Sequence, residues 1–216
     1  MREPILHGYF RSSTSFRVRI ALAMKGVAYR SVAHHLRHGE HREPPYLAVN
    51  PQGLVPALEW SDGTLITQSL AIIEFLDETV PEPPLLPSDA AGRARVRMLA
   101  QMIACDIHPV NNLRVLTSLR ALFGAGDDDI ANWFRHWVNE TFGPLEAMLS
   151  GSSLTGRFCH GDMPGLADIC LAAQVVSNRR FGVEMAPYPT ISRIAETALS
   201  LPAFLKAAPE NQPDAE

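Results

Sequence analysis

Between Pro81 and Pro87 four prolines fall within seven residues, in the run Pro81-Glu82-Pro83-Pro84-Leu85-Leu86-Pro87-Ser88-Asp89. Proline fixes φ and lacks an N–H, so neither a helix interior nor a central strand passes through such a run. The chain is therefore read as two parts joined here: residues 1–80, a linker at 81–88, and residues 89–216. With 46% hydrophobic residues over 216 positions, each part has enough apolar side chains for a core of its own.

Before the junction the pattern alternates between strand and helix. Ile5–Phe10 reads as a short strand, and Phe16, Ile20, Leu22 and Met24 mark a helix that stops at Gly26, a good left-handed terminator. Tyr29–His34 reads as a second strand, and the short connection makes a βαβ unit with parallel strands. Residues 35–50 turn polar and irregular around Gly39, Pro44 and Pro45. They carry His35, His38 and His41 without a carboxylate or Cys companion at tight spacing, which reads as a polar loop lining a cleft and not as a metal site.

Leu54–Trp60 and Thr64–Thr67 flank Ser61-Asp62-Gly63 as a hairpin, with Pro56 at its entrance. A cis Val55–Pro56 bond would turn the Val55 N–H and C=O outward to pair with an extended peptide; an ordinary trans edge proline is the base-rate alternative. Gln68-Ser69 then precedes an apolar helix, Leu70–Asp77, with Ser69 as its cap. Such a terminus suits an α-carboxylate.

After the junction the pattern is helical, over roughly 89–121, 127–149, 166–180, 190–199 and 202–208, which predicts an all-α part. Pro109 falls inside the first of these helices and deprives the Cys105 carbonyl of its donor, so a kink is expected, flanked by His108, Asn112 and Arg114. Asp168 stands at the N3 position of a capping box whose N-cap is Gly165. The tail from Pro209 is expected to be loosely held.

A net charge of −4 and a pI near 6.1 argue against nucleic acid or an anionic membrane as partner. No apolar run approaches about eighteen residues, and no charged-then-apolar signal opens the chain, so a cytoplasmic protein is expected. Cys105, Cys159 and Cys170, odd in number and without a C-x-x-C spacing, read as buried small hydrophobes in a reducing compartment.

The chemistry concentrates at the first helix N-terminus, where Arg11 precedes Ser12, Ser13, Thr14 and Ser15. First-turn N–H groups lack intrahelical partners and the dipole favours anions. A hydroxyl there is either a plain N-cap or a donor to a bound thiolate or oxyanion.

The βαβ unit, the ββα unit with Val-Pro at its hairpin, the Pro-rich linker and the helical part together resemble the cytosolic glutathione transferases. Ser12–Leu22 is similar to the Ser-Ser-Cys-x-Trp-Arg-Val-Arg-Ile-Ala-Leu signature of the zeta class, which includes maleylacetoacetate and maleylpyruvate isomerases. Asn50-Pro51 with Val55-Pro56, Gln68–Glu74 and Ala186–Ile191 extend the likeness over nearly the whole chain. Thr14 stands where the signature has Cys, and Phe16 where it has Trp, so no cysteine nucleophile is assigned and thiol chemistry falls to the cofactor.

The resemblance implies a thioredoxin-like, glutathione-binding α/β N-terminal domain and an all-α C-terminal domain, with a homodimer as the family expectation. It places the γ-glutamyl end at Gln68 and Ser69, the cysteinyl backbone on Val55, and the glycyl end or sulfur side at His41 and Gln52. His108 and Asn112 are the contacts it implies from the helical domain. Ser12 is the residue for the thiol, assisted by Ser13 and Thr14, whereas Tyr9 reads as packing.

A thiolate beside a cis-configured conjugated diacid adds to the double bond, allows rotation in the resulting enolate, and is eliminated to give the trans isomer. A small dicarboxylic acid suits planar bidentate arginines, and Arg11, Arg114 and Arg180 are the candidates. Two other readings remain at this level: a transferase conjugating or dehalogenating small α-halo acids, and a non-catalytic binding module on the same architecture.

Overall fold

The computed structural model describes residues 2–216. Contacts divide the chain into two units, one holding the residues up to Leu85 together with Ser200–Glu216, the other Leu86–Leu199. Residues 200–216, assigned from sequence to the helical part, thus join the first unit.

The first unit runs β1 (Ile5–Gly8), α1 (Ser13–Met24), β2 (Arg30–Ala33), α2 (Pro44–Val49), β3 (Ala57–Glu59), β4 (Leu65–Thr67) and α3 (Ser69–Thr79). The sheet order is β2-β1-β3-β4, with β1 parallel to β2 and antiparallel to β3, and β3 antiparallel to β4. The strands are shorter than their apolar runs, since β1 ends at Gly8 and β3 begins only at Ala57. The loop after β2, expected to be irregular, folds into two 3₁₀ turns and α2.

Helix α1 is buried continuously from Ser15 to Leu22, as a helix sandwiched on all sides must be, and it carries Arg17 and Arg19 inside with it. Gly26 ends it at φ +65. Lys25, beside that end, places Nζ 2.7 Å from Asp77 Oδ1, 2.6 Å from Pro83 O and 3.3 Å from Pro81 O. Asp77 Oδ1 also accepts the Leu85 N–H at 2.7 Å, so one buried ion pair fastens the proline-rich run. Both Val55–Pro56 and Glu82–Pro83 are cis.

The second unit runs α4 (Ala90–Gln101), α5 (Leu113–Phe123), α6 (Asp127–Ser150), α7 (Leu166–Arg179) and α8 (Pro189–Leu199). The single helix expected over 89–121 does not form. Pro109 has no N–H for the Cys105 carbonyl, and the chain responds over Met102–Ile107 by widening into a π-helical turn in which His108 N donates to Ile103 O at 3.0 Å. Cys105, expected buried, is exposed, whereas Cys159 and Cys170 are buried. Asp168 fills its expected place: one carboxylate oxygen accepts the Gly165 N–H at 2.9 Å and the other the Cys159 N–H at 2.8 Å. Glycine has no side chain, so the reciprocal half of the box is missing.

The closing segment carries α9 (Pro202–Ala207), packed against α1. Arg19, 4% exposed, donates to Ala207 O (2.9 Å), Phe10 O (3.0 Å) and Tyr9 O (3.4 Å), and burial lowers its pKa to about 10. The tail is held and not loose: Asp214 Oδ2 accepts the Phe10 N–H at 2.9 Å, and Glu216 Oε1 lies 2.7 Å from His35 Nε2. A carboxylate seven residues beyond the end of α9 therefore grips the backbone that leads into the hydroxyl cluster.

Candidate active site

Of the four hydroxyls at the α1 N-terminus, one faces inward. Ser15 is fully buried; its Oγ accepts the Tyr9 N–H at 3.4 Å and would lie 3.2 Å from any Cβ at Gly8. Ser12, Ser13 and Thr14 are half-buried, as is Arg11, whose Cζ sits 5.0 Å over the Phe10 ring. Ser12 is the N-cap, with extended φ/ψ of −71 and 119, and its Oγ accepts the Ser15 N–H at 3.2 Å. Ser12 Oγ also lies 2.9 Å from Thr14 Oγ1, and Thr14 Oγ1 donates to Val55 O at 3.0 Å. A carbonyl only accepts, so the Thr14 proton is committed and Ser12 is the donor within the hydroxyl pair. The Val55 carbonyl, expected to face outward for a peptide ligand, is thus taken by Thr14.

The loop that carries Val55 is fixed from below. Tyr46 Oη and Asn50 Nδ2 both donate to Leu54 O, at 2.6 and 2.7 Å, and Asn50 Oδ1 accepts the Gln52 N–H at 3.1 Å. Gly53, at φ +58, is hemmed by His41 O and Arg42 Cδ, each 3.0 Å from where a Cβ would stand. A side chain at 53 is disfavoured on both counts, by the strained φ and by the close backbone oxygen of His41.

Helix α3 begins at Ser69, not after it. The N-cap is Gln68, at φ 70 and ψ 117, the only non-glycine residue with positive φ among the described residues, and no side chain caps the helix. Gln68 Nε2 donates to Gln52 Oε1 at 3.0 Å, and both side chains are exposed. Ser69 is buried at 6% exposure and its Oγ receives Arg17 Nη1 at 3.5 Å. Gln52, Gln68 and Ser69 thereby form one surface around an open helix N-terminus, which fits a bound carboxylate.

Two histidine environments lie against the loop that carries Val55. His41 keeps a buried Nδ1 with no hydrogen-bond partner, and its pKa is lowered by burial and then by Arg42. His34 Nε2 lies 2.9 Å from His7 Nδ1, and His7 Nε2 2.7 Å from Glu59 Oε1. The His34 ring also lies against the Tyr46 ring, tilted by 38° with centroids 4.1 Å apart, tying the pair to the residue that holds Leu54. The His34 pKa is lowered by burial, then by His7 and His41, with Glu40 opposing.

The remaining sequence candidates lie in the second unit. His108 and Asn112 sit together after the π-helical turn, with Asn112 Nδ2 3.3 Å from His108 Nε2, while Asn112 Oδ1 caps α5 by accepting the Arg114 N–H at 3.1 Å. Arg114 is exposed on the first turn of α5. Arg180 is exposed at the C-terminal end of α7, with Cζ 5.7 Å over the Phe181 ring; Phe181 in turn stacks on Phe134 at 3.8 Å.

Three contributors escape a reading of the sequence: Tyr46, which fixes the Val55 loop, Asp214, and the unpaired face of Arg17. Asp214 acts across 204 residues, and Tyr46 across a loop of irregular backbone, neither of which periodicity encodes. Arg17 had a signal, a charged residue in an otherwise apolar helix, but sequence does not tell it from Arg19 two residues on.

Comparison with known proteins supplies the context. Residues 11–79 match the model of the glutathione S-transferase N-terminal domain. A maleylpyruvate isomerase of Ralstonia sp. is 49% identical over 209 residues, covering 97% of this chain and 98% of its own. The holo structure of a maleylpyruvate isomerase, described as a bacterial zeta-class glutathione S-transferase, is 47% identical with a TM-score of 0.96, covering 98% of this chain and 100% of the other. A maleylacetoacetate isomerase of Methylobacterium extorquens AM1, solved with malonate and glutathione bound, is 44% identical with a TM-score of 0.95, covering 98% of this chain and 99% of the other.

Proposed function

The chain belongs to the zeta class of the glutathione S-transferase family, and we propose that it is a glutathione-dependent cis–trans isomerase of maleylacetoacetate or maleylpyruvate. The observation that carries this reading is the hydroxyl pair of Ser12 and Thr14 at the N-terminus of α1, joined to the Val55 carbonyl. The orphaned Nδ1 of His41 fits a ligand bearing several charged and polar groups, as glutathione does.

When bound, glutathione supplies the thiolate that adds to the substrate double bond and leaves again after rotation. Ser12 selects that ionised form. Its proton rests on Thr14 in a neutral hydrogen bond of about 0.5–1.5 kcal/mol, whereas a bond to a charged acceptor is worth about 1.5–3 kcal/mol. Turning the hydroxyl from Thr14 to a thiolate is therefore favourable by about 1 kcal/mol, which lowers a thiol pKa from its reference of about 8.5 by about 0.7 unit. The free N–H groups and dipole of α1 act in the same direction, and Ser13 adds a further hydroxyl.

Val55, Gln52, His41, Gln68 and Ser69 are assigned to glutathione in the first unit, and His108 and Asn112 in the second. Arg11, Arg114 and Arg180 are assigned to substrate carboxylates, a role that planar guanidinium groups fill by paired hydrogen bonds. The reading carries with it a homodimer, which light scattering would establish, and a cytoplasmic enzyme of aromatic-compound breakdown. Among the described residues no helix is long and apolar enough to cross a membrane.

The test is a spectrophotometric assay of both maleyl acids with and without glutathione, on wild type and Ser12→Ala. Glutathione-dependent turnover that falls at least about a hundredfold in the variant is expected. Turnover of neither acid would overturn the reading.

A further inference from the structure

Two arginines enter the core on α1, and they are treated differently. Arg19 spends its guanidinium on three backbone carbonyls. Arg17 is more deeply buried, at 1% exposure, yet its Nε and Nη2 have no hydrogen-bond partner, and among the described residues no carboxylate pairs with it. Its one hydrogen bond is from Nη1 to Ser69 Oγ at 3.5 Å. An unpaired buried cation is costly, and where a fold keeps one it calls for a counter-charge.

That contact points to the open end of α3. A guanidinium only donates, so Ser69 Oγ is the acceptor and its own proton remains available. The first N–H groups of this 11-residue helix are uncapped, because Gln68 at φ 70 supplies no side-chain bond to them. Free amides, a free hydroxyl proton and a buried guanidinium thus converge on Ser69, and each of them asks for an anion.

We propose that Arg17 is a positioning residue: the buried counter-charge through which Ser69 recognises the α-carboxylate of the γ-glutamyl end of glutathione. This rests on the glutathione reading above. Arg17 does not touch the ligand. By donating to Ser69 Oγ it turns the hydroxyl proton outward, and its charge, screened from water, favours a carboxylate over a neutral group at that place.

The experiment compares glutathione with γ-aminobutyryl-cysteinyl-glycine, which lacks only that carboxylate, by calorimetric titration of wild type, Arg17→Lys and Arg17→Met, with melting curves of each ligand-free protein. Wild type is expected to bind glutathione tenfold to a hundredfold more tightly than the analogue, on the order set by a charge-assisted contact. Arg17→Met should lose about that whole factor for glutathione, bind the analogue as wild type does, and melt at or above the wild-type temperature when ligand-free, since it replaces an unpaired buried charge by an unbranched apolar side chain. Arg17→Lys should recover part of the discrimination. Equal losses for both ligands, unchanged glutathione affinity, or failure of Arg17→Met to fold would each overturn the proposal, because each makes the guanidinium a packing element. Wild type that binds glutathione but isomerises neither acid would sink the isomerase reading while leaving this comparison valid.

Discussion

Ser12 and Thr14 share one hydrogen bond, 2.9 Å between oxygens, whose direction is dictated from outside the pair by the Val55 carbonyl. The Thr14 proton is spent on Val55, so the Ser12 proton must rest on Thr14 until a stronger acceptor arrives. Thr14→Val, close in shape, removes that resting place. Ser12 then gives up nothing when it turns to a thiolate, and the pKa of bound glutathione should fall by about half a unit to one unit further. Val55 meanwhile loses its donor, so the affinity for glutathione should weaken by about tenfold. Ultraviolet titration of the bound thiolate reads the first effect and calorimetry the second; a bound-thiol pKa that rises would refute the relay.

Capping and chemistry can be separated at Ser12. Ser12→Asp keeps an acceptor for the Ser15 N–H, so thermal stability should stay within a few tenths of a kcal/mol of wild type, whereas Ser12→Ala should lose about 1 kcal/mol. Activity should collapse in both, and more deeply in the aspartate variant, whose charge repels a thiolate. Chemical denaturation together with the isomerase assay distinguishes the two contributions.

The folded-state pKa of His34 lies below its ordinary value of 6.5, chiefly through burial. Between those two values the unfolded chain binds more protons than the folded one. The contribution of His34 to stability is therefore fully present above about pH 6.5 and is lost as the pH falls through the folded pKa. His7 faces His34 from β1 and Glu40 and His41 from the neighbouring loop, and His41 shifts in the same direction. Melting temperature should decline below about pH 6.5, and His34→Gln should flatten the decline. An identical slope in the variant would assign the effect elsewhere.

The Phe10 N–H depends on Asp214. Asp214→Ala strands it beside Arg19, at a cost of about 1–3 kcal/mol, and loosens the backbone two residues before Ser12. Lower stability and a raised KM for glutathione should appear together, and Asp214→Asn, which keeps an acceptor oxygen, should restore most of both. Steady-state kinetics on the two variants provides the check.

The sequence is informative wherever a local rule decides the outcome. The Ser12 cap, the parallel strands around α1, the β3–β4 hairpin, the carboxylate of Asp168 and the bounds of α6 to α9 all follow from periodicity and terminus chemistry within a few residues. Pro109 announces a break but not its form, because a π-helical turn and a simple kink answer the same missing N–H. What stays hidden is set by distant partners. The hydroxyl direction at Ser12 depends on Val55, the path of the tail on Phe10, and the difference between Arg17 and Arg19 on which backbone or side chain happens to lie opposite.

The attachment of Ser200–Glu216 to the first unit bears on synthesis as much as on architecture. Helix α1 is made early by the ribosome, but α9, which covers it, and Asp214, which holds Phe10 from 204 residues further on, appear much later. The sheet can form on the nascent chain, whereas the Phe10–Ser12 approach to the active site cannot be completed until α9 and Asp214 have been made and have cleared the exit tunnel. Glutathione binding should therefore be weakened in nascent chains stalled before Asp214 has left the tunnel and recover in those stalled well beyond it.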